Sequence, residues 1–409
     1  MNPSSQQQAS STHPCAPRRW RAFVLAIALA AAVAGPSGRA AEGEKINIAV
    51  TYDPMGFLQP IPVHVSGFTG EADAVLKNDL RFMGVVHGSP EEARYLITGT
   101  GAGRAEARVT EKVTRALVHQ AAFTAATPRT AVHALADSIA KKLTGLPGIA
   151  QTRITYKVEN GPGRSEVYIA DYDGFGAQAV TRDNVIVASP AWAGKGTLVY
   201  ASYKSGQPTI FSHVLATGAR AAVGRNPGSS YSPAVSPDGR RVAMILNKGG
   251  SPDLYVSNLD GSGLVQLTKT REAESSPCWS PDGSRLCYVS REGGPPALYT
   301  ISASGGGRSP IRTTFAPNPT EPDWSPDGKW IAFTAQTGGF KIFIVPAGGG
   351  QAVEVAAGED PSWAPNSRAL IFCSGRDHAK TLSLLDVPTK YVKPLARVSE
   401  SNSQPGWAR

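Results

Sequence analysis

Near residue 280 the chain reads Ser276-Pro277-Cys278-Trp279-Ser280-Pro281-Asp282-Gly283, and related segments recur on both sides of it. Nearly complete copies cover 232–239, 321–328 and 360–367, and partial copies begin at Ser189 and Gln404. Successive copies are 43, 44, 45, 39 and 44 residues apart, counted between their first prolines. A repeat of roughly 40–45 residues is the length of one four-stranded blade of a β-propeller. The repeat therefore predicts a propeller.

The tetrapeptide Ser-Pro-Asp-Gly suits a tight turn, because proline presets φ at the second position and glycine is tolerated at the last. It would join a short first strand to a second strand such as 285–289, which is almost continuously apolar. A strand buried on both faces has this composition, and blades that stack face to face bury both faces. A tryptophan in most copies indicates packing between blades rather than ligand stacking. These tryptophans are Trp192, Trp279, Trp324, Trp363 and Trp407.

The two ends of the repeat region predict how the ring closes. Residues 153–156 resemble the second strand of a unit and 166–169 resemble the third, but no first strand precedes them. A first strand with nothing after it lies at 405–407. Pairing of these segments would complete a shared blade, close the ring and remove the open sheet edge. Five whole blades and one shared blade predict a six-bladed β-propeller.

The residues ahead of the repeat predict a small α/β domain. Helical spacing of apolar residues predicts helices over 71–82 and 130–143, with Gly84 and Gly145 as stop signals. Strands are predicted at 45–50, 95–99, 105–110 and 115–121. The predicted organisation is a signal peptide over 1–40, an N-terminal α/β domain over 41–150 and the propeller over 151–409.

Residues 1–40 have the features of a secretory signal. Arginines precede an apolar run over 22–34, and small residues follow up to Ala41. An uncleaved anchor is the alternative, but the run is short for a bilayer span. General secretory export is favoured over the twin-arginine route that Arg18-Arg19 suggests. No other apolar stretch approaches about 18 residues, so we expect no membrane span after cleavage.

The charge of the chain does not indicate a nucleic-acid partner. Cleavage after Ala40 would remove four of the 41 basic residues and none of the 32 acidic ones, which leaves a net charge of +5. That excess is small, and no basic stripe accompanies it. We therefore expect no nucleic-acid binding.

The sequence offers no motif for catalysis, a cofactor or a metal. A Gly-x-Ser-x-Gly nucleophile elbow is absent, and no residues follow the last predicted blade to form a catalytic domain. Segments 99–103 and 171–174 are predicted to be turns rather than a phosphate loop and a calcium loop, since the later motif positions are missing. The seven histidines show no metal-ligand spacing. At least one of the three cysteines beyond residue 40 (Cys278, Cys287 and Cys373) is expected to be a free thiol.

The predicted signal, the α/β domain and the repeat together resemble the TolB family, the periplasmic propellers of the Tol–Pal envelope system. The resemblance includes the junction at 140–145 and 152–156 and the Asp-Tyr-Asp-Gly segment at 171–174. Residues 88–126 fit the family less well, and one copy of the repeat reads Ala-Pro-Asn-Ser at 364–367 instead of Ser-Pro-Asp-Gly. The resemblance covers nearly all of the chain beyond residue 40 and implies a non-catalytic protein that binds other proteins.

The resemblance also implies a role in outer-membrane integrity and in envelope constriction during cell division. The implied partners are a peptidoglycan-associated lipoprotein (Pal) on one face of the propeller and a TolA-like inner-membrane protein at the mature N-terminal segment. In this chain that segment includes Ala41, Glu42, Lys45, Ile46 and Ile48. Alternatively, these residues simply form the first strand of the α/β domain. We expect a periplasmic monomer.

Propeller geometry predicts where a partner docks. Residues just before each Pro-x-Trp segment lead into the innermost strand, so they should ring the mouth of the central channel. Residues at one end of a rigid scaffold commonly bind ligands. The predicted partner-binding residues are Ser229, Ser230, Tyr231, Glu274, Ser275, Thr320, Glu321, Glu359, Asp360, Asn402 and Ser403.

Two other functions are compatible with the sequence. A secreted hydrolase or lyase could act in the propeller channel, because a catalytic carboxylate pair is set in space rather than in sequence. An unrelated secreted propeller scaffold would share the repeat.

Overall fold

The repeat folds into six four-stranded antiparallel sheets in the computed structural model of the chain. The structure describes residues 50–224, 228–248, 250–375, 379–398 and 401–409. The predicted signal peptide over 1–40 and nearly all of the predicted strand at 45–50 lie outside these ranges.

Ahead of the blades, residues 61–144 form one mixed sheet with two helices. The elements are β1 (Ile61–Ser66), α1 (Gly70–Phe82), β2 (Val85–His87), β3 (Tyr95–Thr100), β4 (Ala105–Glu111), β5 (Leu117–Phe123) and α2 (Pro128–Thr144). The sheet order is β2-β1-β3-β4-β5. Strand β1 pairs in parallel with β2 and β3, and the later pairs are antiparallel. We call these elements the α/β layer.

Strand β1, an interior strand of the α/β layer, is not predicted by the sequence pattern. Pro60 and Pro62 flank and interrupt β1, and proline usually demotes a segment to an edge strand because it lacks a donor. The Pro62 carbonyl still accepts a hydrogen bond from the Arg94 amide (2.9 Å), so only the donor side of the ladder is lost. Strand β2 is three residues long and carries too little pattern to be recognised.

Helix α2 begins and ends on local signals that the sequence contains. Thr127 lies at the N-cap, and its hydroxyl accepts a hydrogen bond from the Thr130 amide (3.1 Å). Pro128 occupies the first turn, where its missing N–H would have no partner within the helix. Gly145 ends the helix in the left-handed conformation at φ 74°. The predicted helix over 130–143 therefore corresponds to α2, with two residues added at its N-terminus and one at its C-terminus.

The blades follow in chain order, each from its innermost to its outermost strand. The first three strands belong to a blade that is completed at the end of the sequence: β6 (Arg153–Glu159), β7 (Ser165–Asp171) and β8 (Gln178–Ala179). Blade 1 contains β9 (Val187–Ala193), β10 (Thr197–Ser202), β11 (Thr209–Val214) and β12 (Arg220–Ala222). Blade 2 contains β13 (Ser229–Val235), β14 (Arg241–Asn247), β15 (Asp253–Asn258) and β16 (Val265–Gln266).

Blade 3 contains β17 (Glu274–Trp279), β18 (Arg285–Ser290), β19 (Ala297–Ser302) and β20 (Ser309–Ile311). A short strand, β21 (Thr313–Thr314), follows it. Blade 4 contains β22 (Thr320–Trp324), β23 (Trp330–Gln336), β24 (Phe340–Pro346) and β26 (Val353–Ala357), and β25 (Gly350–Gln351) pairs with β21. Blade 5 contains β27 (Glu359–Trp363), β28 (Ala369–Ser374), β29 (Thr381–Asp386) and β30 (Tyr391–Pro394). The last strand is β31 (Ser401–Trp407).

The predicted turn joins the first and second strands of the blades. In blade 2, the Gly239 amide donates to the Ser236 carbonyl (2.8 Å), which closes the turn. The Ser236 hydroxyl accepts from the Arg241 amide (2.9 Å), and the Asp238 carboxylate accepts from the Arg240 amide (3.1 Å). The same pattern recurs around Ser280 in blade 3 and Ser325 in blade 4. The Ser-Pro-Asp-Gly segment of the repeat therefore forms the turn that reverses the chain direction, as predicted.

Ring closure occurs by pairing of β31 with β6, as predicted. The antiparallel ladder pairs Ser401 with Glu159 and Trp407 with Ile154. Blade 6 therefore has the order β31-β6-β7-β8, and the six innermost strands contact one another in a closed circle in which β31 meets both β27 and β9. The Trp407 ring stacks on Tyr172 at 6.0 Å, and its Nε1 donates to the Thr152 hydroxyl (2.8 Å).

The α/β layer and the propeller share one hydrophobic core, which contains Leu76 of α1, Leu135 of α2, Ile154 of β6 and Leu384 of β29. The described residues from 50 to 409 belong to a single compact unit.

A buried polar cluster crosses the contact between the α/β layer and blade 6. Asp79 of α1 accepts hydrogen bonds from the Tyr172 hydroxyl (2.6 Å) and from His133 of α2 (2.7 Å), and Asn78 donates to the same hydroxyl (2.9 Å). Burial raises the pKa of Asp79. Burial opposes protonation of His133, but the hydrogen bond and charge of Asp79 outweigh it and raise the pKa of His133. The cluster holds the turn after β7 against both helices.

The copy of the repeat that departs from the pattern lies under the α/β layer. Asn366 is buried, and its Nδ2 donates to the Phe82 carbonyl at the end of α1 (3.0 Å). Its Oδ1 accepts from the Arg368 and Ala369 amides, both at 3.0 Å, and so replaces the serine hydroxyl of the other turns. Arg368 is also buried, and it pairs with Asp386 (2.6 Å) and donates to the Leu58 carbonyl. The departure from Ser-Pro-Asp-Gly is therefore an adaptation to the contact.

Restoring the repeat at this turn should weaken the contact. Asn366→Asp removes the donor to Phe82 and buries a carboxylate there, so we expect the free energy of unfolding to fall by about 2–3 kcal/mol. Asn318→Asp is the matched control, because Asn318 is exposed and the same new carboxylate stays hydrated there. We expect it to change stability by less than about 1 kcal/mol. Urea unfolding of the two variants measures the difference, and equal stabilities would show that Asn366 does not hold the contact.

Candidate functional site at the channel mouth

Each innermost strand carries a β-bulge at the residue before its proline. The ladder between the first and second strands shifts at this point in all six blades. A bulge leaves one residue unpaired and redirects its side chain. We call these six positions the bulge residues: Ser189, Ser232, Ser276, Glu321, Asp360 and Gln404.

All six bulge residues have left-handed backbone conformations, with φ between 49° and 55°. Residues other than glycine rarely adopt this conformation, and such strain persists only where the surrounding structure imposes it. Here the left-handed conformation recurs six times in one ring, once in each blade. Strained backbone concentrates at binding and catalytic sites. The ring of bulges is therefore the first feature that points to the mouth as a functional site.

In half of the ring, each bulge side chain caps the next bulge amide. Glu321 accepts a hydrogen bond from the Asp360 amide (3.0 Å), and Asp360 accepts from the Gln404 amide (3.2 Å). Gln404 accepts in turn from the Ser189 amide (2.8 Å). The chain of contacts runs from blade 4 through blades 5 and 6 to blade 1. Carboxylate and carboxamide oxygens thus fit the space beside a bulge amide.

The predicted partner-binding residues occupy the first half of the innermost strands, rather than loops ahead of them. Those that remain partly accessible are Ser229, Tyr231, Ser275, Thr320, Glu321, Glu359 and Asp360. Together with the bulge residues, they form the polar lining that a ligand entering the mouth would meet.

Four of the predicted residues are buried and hold the blades together. The Ser230 hydroxyl accepts from the Ile210 amide of blade 1 (3.1 Å), and Glu274 accepts from the Thr270 hydroxyl (2.9 Å). The Asn402 amide donates to the Lys380 carbonyl (3.0 Å), and Ser403 is 4% exposed. Burial raises the pKa of Glu274. These four positions therefore lie beneath the accessible surface of the mouth.

The acidic side of the mouth brings three potential metal ligands together. The ligand atoms of Glu359, Asp360 and Cys373 lie within 4.8 Å of one another. Burial, with the charges of Glu321 and Glu359, raises the pKa of Asp360 well above its usual value. Burial also raises the pKa of the Cys373 thiol, which donates to the Asn402 carbonyl (3.5 Å). Lys380 pairs with Glu359. Protons on Asp360 and Cys373 and the ion pair of Glu359 would compete with a cation for these ligand atoms.

Arg409 spans the opposite end of the innermost strands. It follows β31, forms an ion pair with Asp323 of blade 4, and donates to the carbonyls of Trp324 (3.2 Å) and Trp363 (3.3 Å). Asp323 also accepts from the Trp363 amide (2.7 Å). This end faces the α/β layer, where Asn366 and Tyr172 make their contacts. The accessible mouth is therefore the other end, where the innermost strands begin.

Sequence reasoning missed four of the bulge residues: Ser189, Ser232, Ser276 and Gln404. Each precedes a proline of the repeat, which was the available signal, but the residue before proline is normally extended, so a left-handed conformation was not expected. The predicted N-terminal binding residues Ala41, Glu42, Lys45, Ile46 and Ile48 lie outside the described residues.

The closed ring and the shared blade define the chain as a six-bladed β-propeller. A family model described as the TolB beta propeller domain matches residues 140–409. The chain belongs to this family.

Similar proteins share parts of the chain. "Tol-Pal system protein TolB" of Azoarcus sp. strain BH72 is 42% identical over 135 residues, which cover 32% of this chain and 31% of that protein. Its namesake in Anaeromyxobacter dehalogenans strain 2CP-C is 31% identical over 285 residues, covering 59% and 64%. The chain thus spans about one third to two thirds of the length of these curated relatives. The crystal structure of TolB from Acinetobacter baumannii has the same fold, with a TM-score of 0.76, 22% identity, and coverage of 88% of this chain and 98% of that one.

The raised pKa of Asp360 predicts a pH-dependent stability. Because the folded state holds this proton more tightly than the unfolded state, the stabilisation is complete below the usual pKa of about 4 and is lost as pH rises through the raised value. Asp360→Asn keeps an acceptor for the Gln404 amide and removes the charge. We expect the variant to gain at least about 1 kcal/mol over the wild type between pH 4 and pH 8, measured by urea unfolding.

Asp238→Asn is the control with the opposite sign. The Ser236 hydroxyl and the Arg240 amide lower the pKa of Asp238, so this variant should lose stability relative to the wild type as pH rises through the lowered pKa to about 4, with no further change up to pH 8. A pH-independent difference for Asp360→Asn would contradict the placement of three carboxylates at the mouth.

Proposed function

We propose that the chain is a non-catalytic, periplasmic component of a Tol–Pal-type system that binds a peptidoglycan-associated lipoprotein at the channel mouth. Membership of the TolB family supports the system, since the relatives carry the name Tol-Pal system protein. None of the helices within the described ranges is long and apolar enough to cross a membrane. In this role the chain supports outer-membrane integrity and envelope constriction during cell division.

The observation that carries the proposal is the difference between the two ends of the channel. One end of the channel is occupied by Arg409 and lies against the α/β layer, whereas the other presents the strained bulge residues. A rigid ring that presents polar groups at one accessible end suits recognition of a protein surface, because little conformational entropy is lost on binding. Tyr231 at the mouth is half-buried, and such aromatic residues often dominate binding energy.

The carboxylates of the channel support binding rather than catalysis. Glu321 and Asp360 are already engaged with backbone amides, and Glu321 also accepts from the Thr334 hydroxyl (2.7 Å). A hydrolase or lyase would need such groups free to exchange protons with a substrate. For this reason we favour the binding protein over the secreted enzyme.

The segment that includes Ala41, Glu42, Lys45, Ile46 and Ile48 is proposed to bind a TolA-like inner-membrane protein. This assignment is supported by membership of the TolB family, whose model matches residues 140–409. It leaves the mouth to the lipoprotein and gives the protein two separate partners, one for each membrane.

Binding of the soluble domain of the organism's own peptidoglycan-associated lipoprotein tests the proposal. Isothermal titration should show a one-to-one complex with the wild-type chain. Tyr231→Ala should weaken it by roughly tenfold or more, since truncation of a central aromatic residue commonly costs at least about 2 kcal/mol. Tyr52→Ala is the matched control, because Tyr52 is exposed and lies ahead of the α/β layer. No complex with the folded wild type, or equal losses in both variants, would refute the assignment.

A further inference from the structure

The ring of bulge residues is chemically divided into two halves. In blades 4, 5 and 6 the bulge residue is Glu321, Asp360 or Gln404, and each side chain caps the amide of the next bulge residue. In blades 1, 2 and 3 the bulge residue is a serine, with the same bulge and the same φ. The backbone repeats six times, but the capping oxygen is built in for only three of the six amides.

The three remaining amides belong to Ser232, Ser276 and Glu321. By analogy with the other half, the residues that would cap them are Ser189, Ser232 and Ser276. The serine side chain is shorter than that of aspartate, which is the shortest side chain that caps in the other half. Across the described ranges, no side chain accepts a hydrogen bond from these three amides. Each of the three bulge serines is only half-buried, so ligand oxygens can approach them from the channel.

The serine half of the mouth also carries exposed cations. Some lie on loops that join the second strand of a blade to the third, and others lie just ahead of an innermost strand. Both kinds of loop are at the mouth, because each innermost strand begins there and successive strands run in opposite directions. They are Arg182, Lys248, Lys269, Arg271 and Arg291. In blade 4 the equivalent loop is Thr337-Gly338-Gly339, and in blade 5 Lys380 is paired with Glu359. Blade 6 also carries an exposed arginine on the equivalent loop, Arg164, and Glu272 is exposed beside Arg271. The cations are therefore not confined to the serine half, and the distinguishing feature of this half is the set of uncapped amides on blades 2 to 4.

We propose that the serine half of the mouth binds carboxylate side chains from an acidic segment of a partner protein. The carboxylates would accept hydrogen bonds from the amides of Ser232, Ser276 and Glu321, in the positions that Glu321 and Asp360 occupy beside their own neighbours. The cations would attract the segment and set its orientation, because charge complementarity raises the association rate and selects the partner. This inference rests on the proposed function of the mouth and names the chemistry that the mouth recognises.

The side chains that cap amides in the other half suggest the substitution that tests this proposal. Ser276→Gln should place a carboxamide beside the Glu321 amide, as Gln404 does beside Ser189, and Ser232→Gln should do the same for Ser276. Both substitutions fill a ligand position without adding charge, and Gln404 shows that the bulge accepts glutamine. Ser304→Gln is the matched control, since Ser304 is exposed on the turn after β19, at the opposite end of blade 3.

Two probes separate this inference from the proposed function. The first is the soluble domain of the peptidoglycan-associated lipoprotein, and the second is a labelled hexaglutamate peptide at low ionic strength, with hexalysine for comparison. Ser276→Gln should weaken binding of each acidic probe by roughly tenfold, because a hydrogen bond to a charged group contributes about that factor. Lys269→Glu with Arg271→Glu, on an exposed loop, should slow association and reduce its salt dependence.

The outcomes are distinct. In one outcome, the lipoprotein fails to bind while hexaglutamate binds the wild type and binds Ser276→Gln more weakly. That result would refute the proposed function but support the acidic-segment site. Binding of the lipoprotein that is unchanged in folded Ser276→Gln and in the charge-reversed variant would overturn the site and leave the proposed function intact. Hexaglutamate binding equal to that of hexalysine would also overturn it.

Discussion

The ladder between β31 and β6 is the interaction on which the rest of the structure depends. It joins residues about 250 positions apart in the chain, from Ser401 opposite Glu159 to Trp407 opposite Ile154. Without it, blade 6 would expose the edge of β6, and a sheet edge invites pairing with other chains. Blade 5 would also lose the strand that packs against its face. The ladder also sets Trp407 against Tyr172, and the Tyr172 hydroxyl reaches Asp79 and Asn78 of the α/β layer. One strand therefore closes the ring and links it to the layer beneath.

Closure explains how the strained mouth is maintained. A residue other than glycine at φ near 50° is costly by itself, and the six bulges have that cost in common. In an open array, each innermost strand could relax independently. In the closed ring, Glu321, Asp360 and Gln404 lock successive blades by accepting from the next bulge amide, and the last of these contacts crosses the closure to Ser189. The geometry of the site is thus a consequence of the topology.

Local chemistry made the blades predictable from the sequence. The Ser-Pro-Asp-Gly segment determines a turn within four residues, and the spacing of its copies determines the number of blades. The shared blade followed from a missing first strand at 153–156 and a surplus one at 405–407. Strand β1 was not predictable, because Pro62 is an argument against a central strand unless its neighbours are known. The left-handed bulge residues, the burial of Glu274 and the pairing of Asp79 with His133 depend on contacts that are distant in sequence. Sequence reasoning therefore located the mouth but not the division of its ring into capped and uncapped halves.

Hydrogen–deuterium exchange of the wild-type protein tests ring closure most directly. If β31 pairs with β6, peptides covering 153–159 and 401–407 should exchange together in the slowest class, because both lose protection only when the propeller opens as a whole. Complete exchange of 401–409 within seconds, while the second strands of the other blades stay protected, would show that the last strand is free and that the ring is not closed by it.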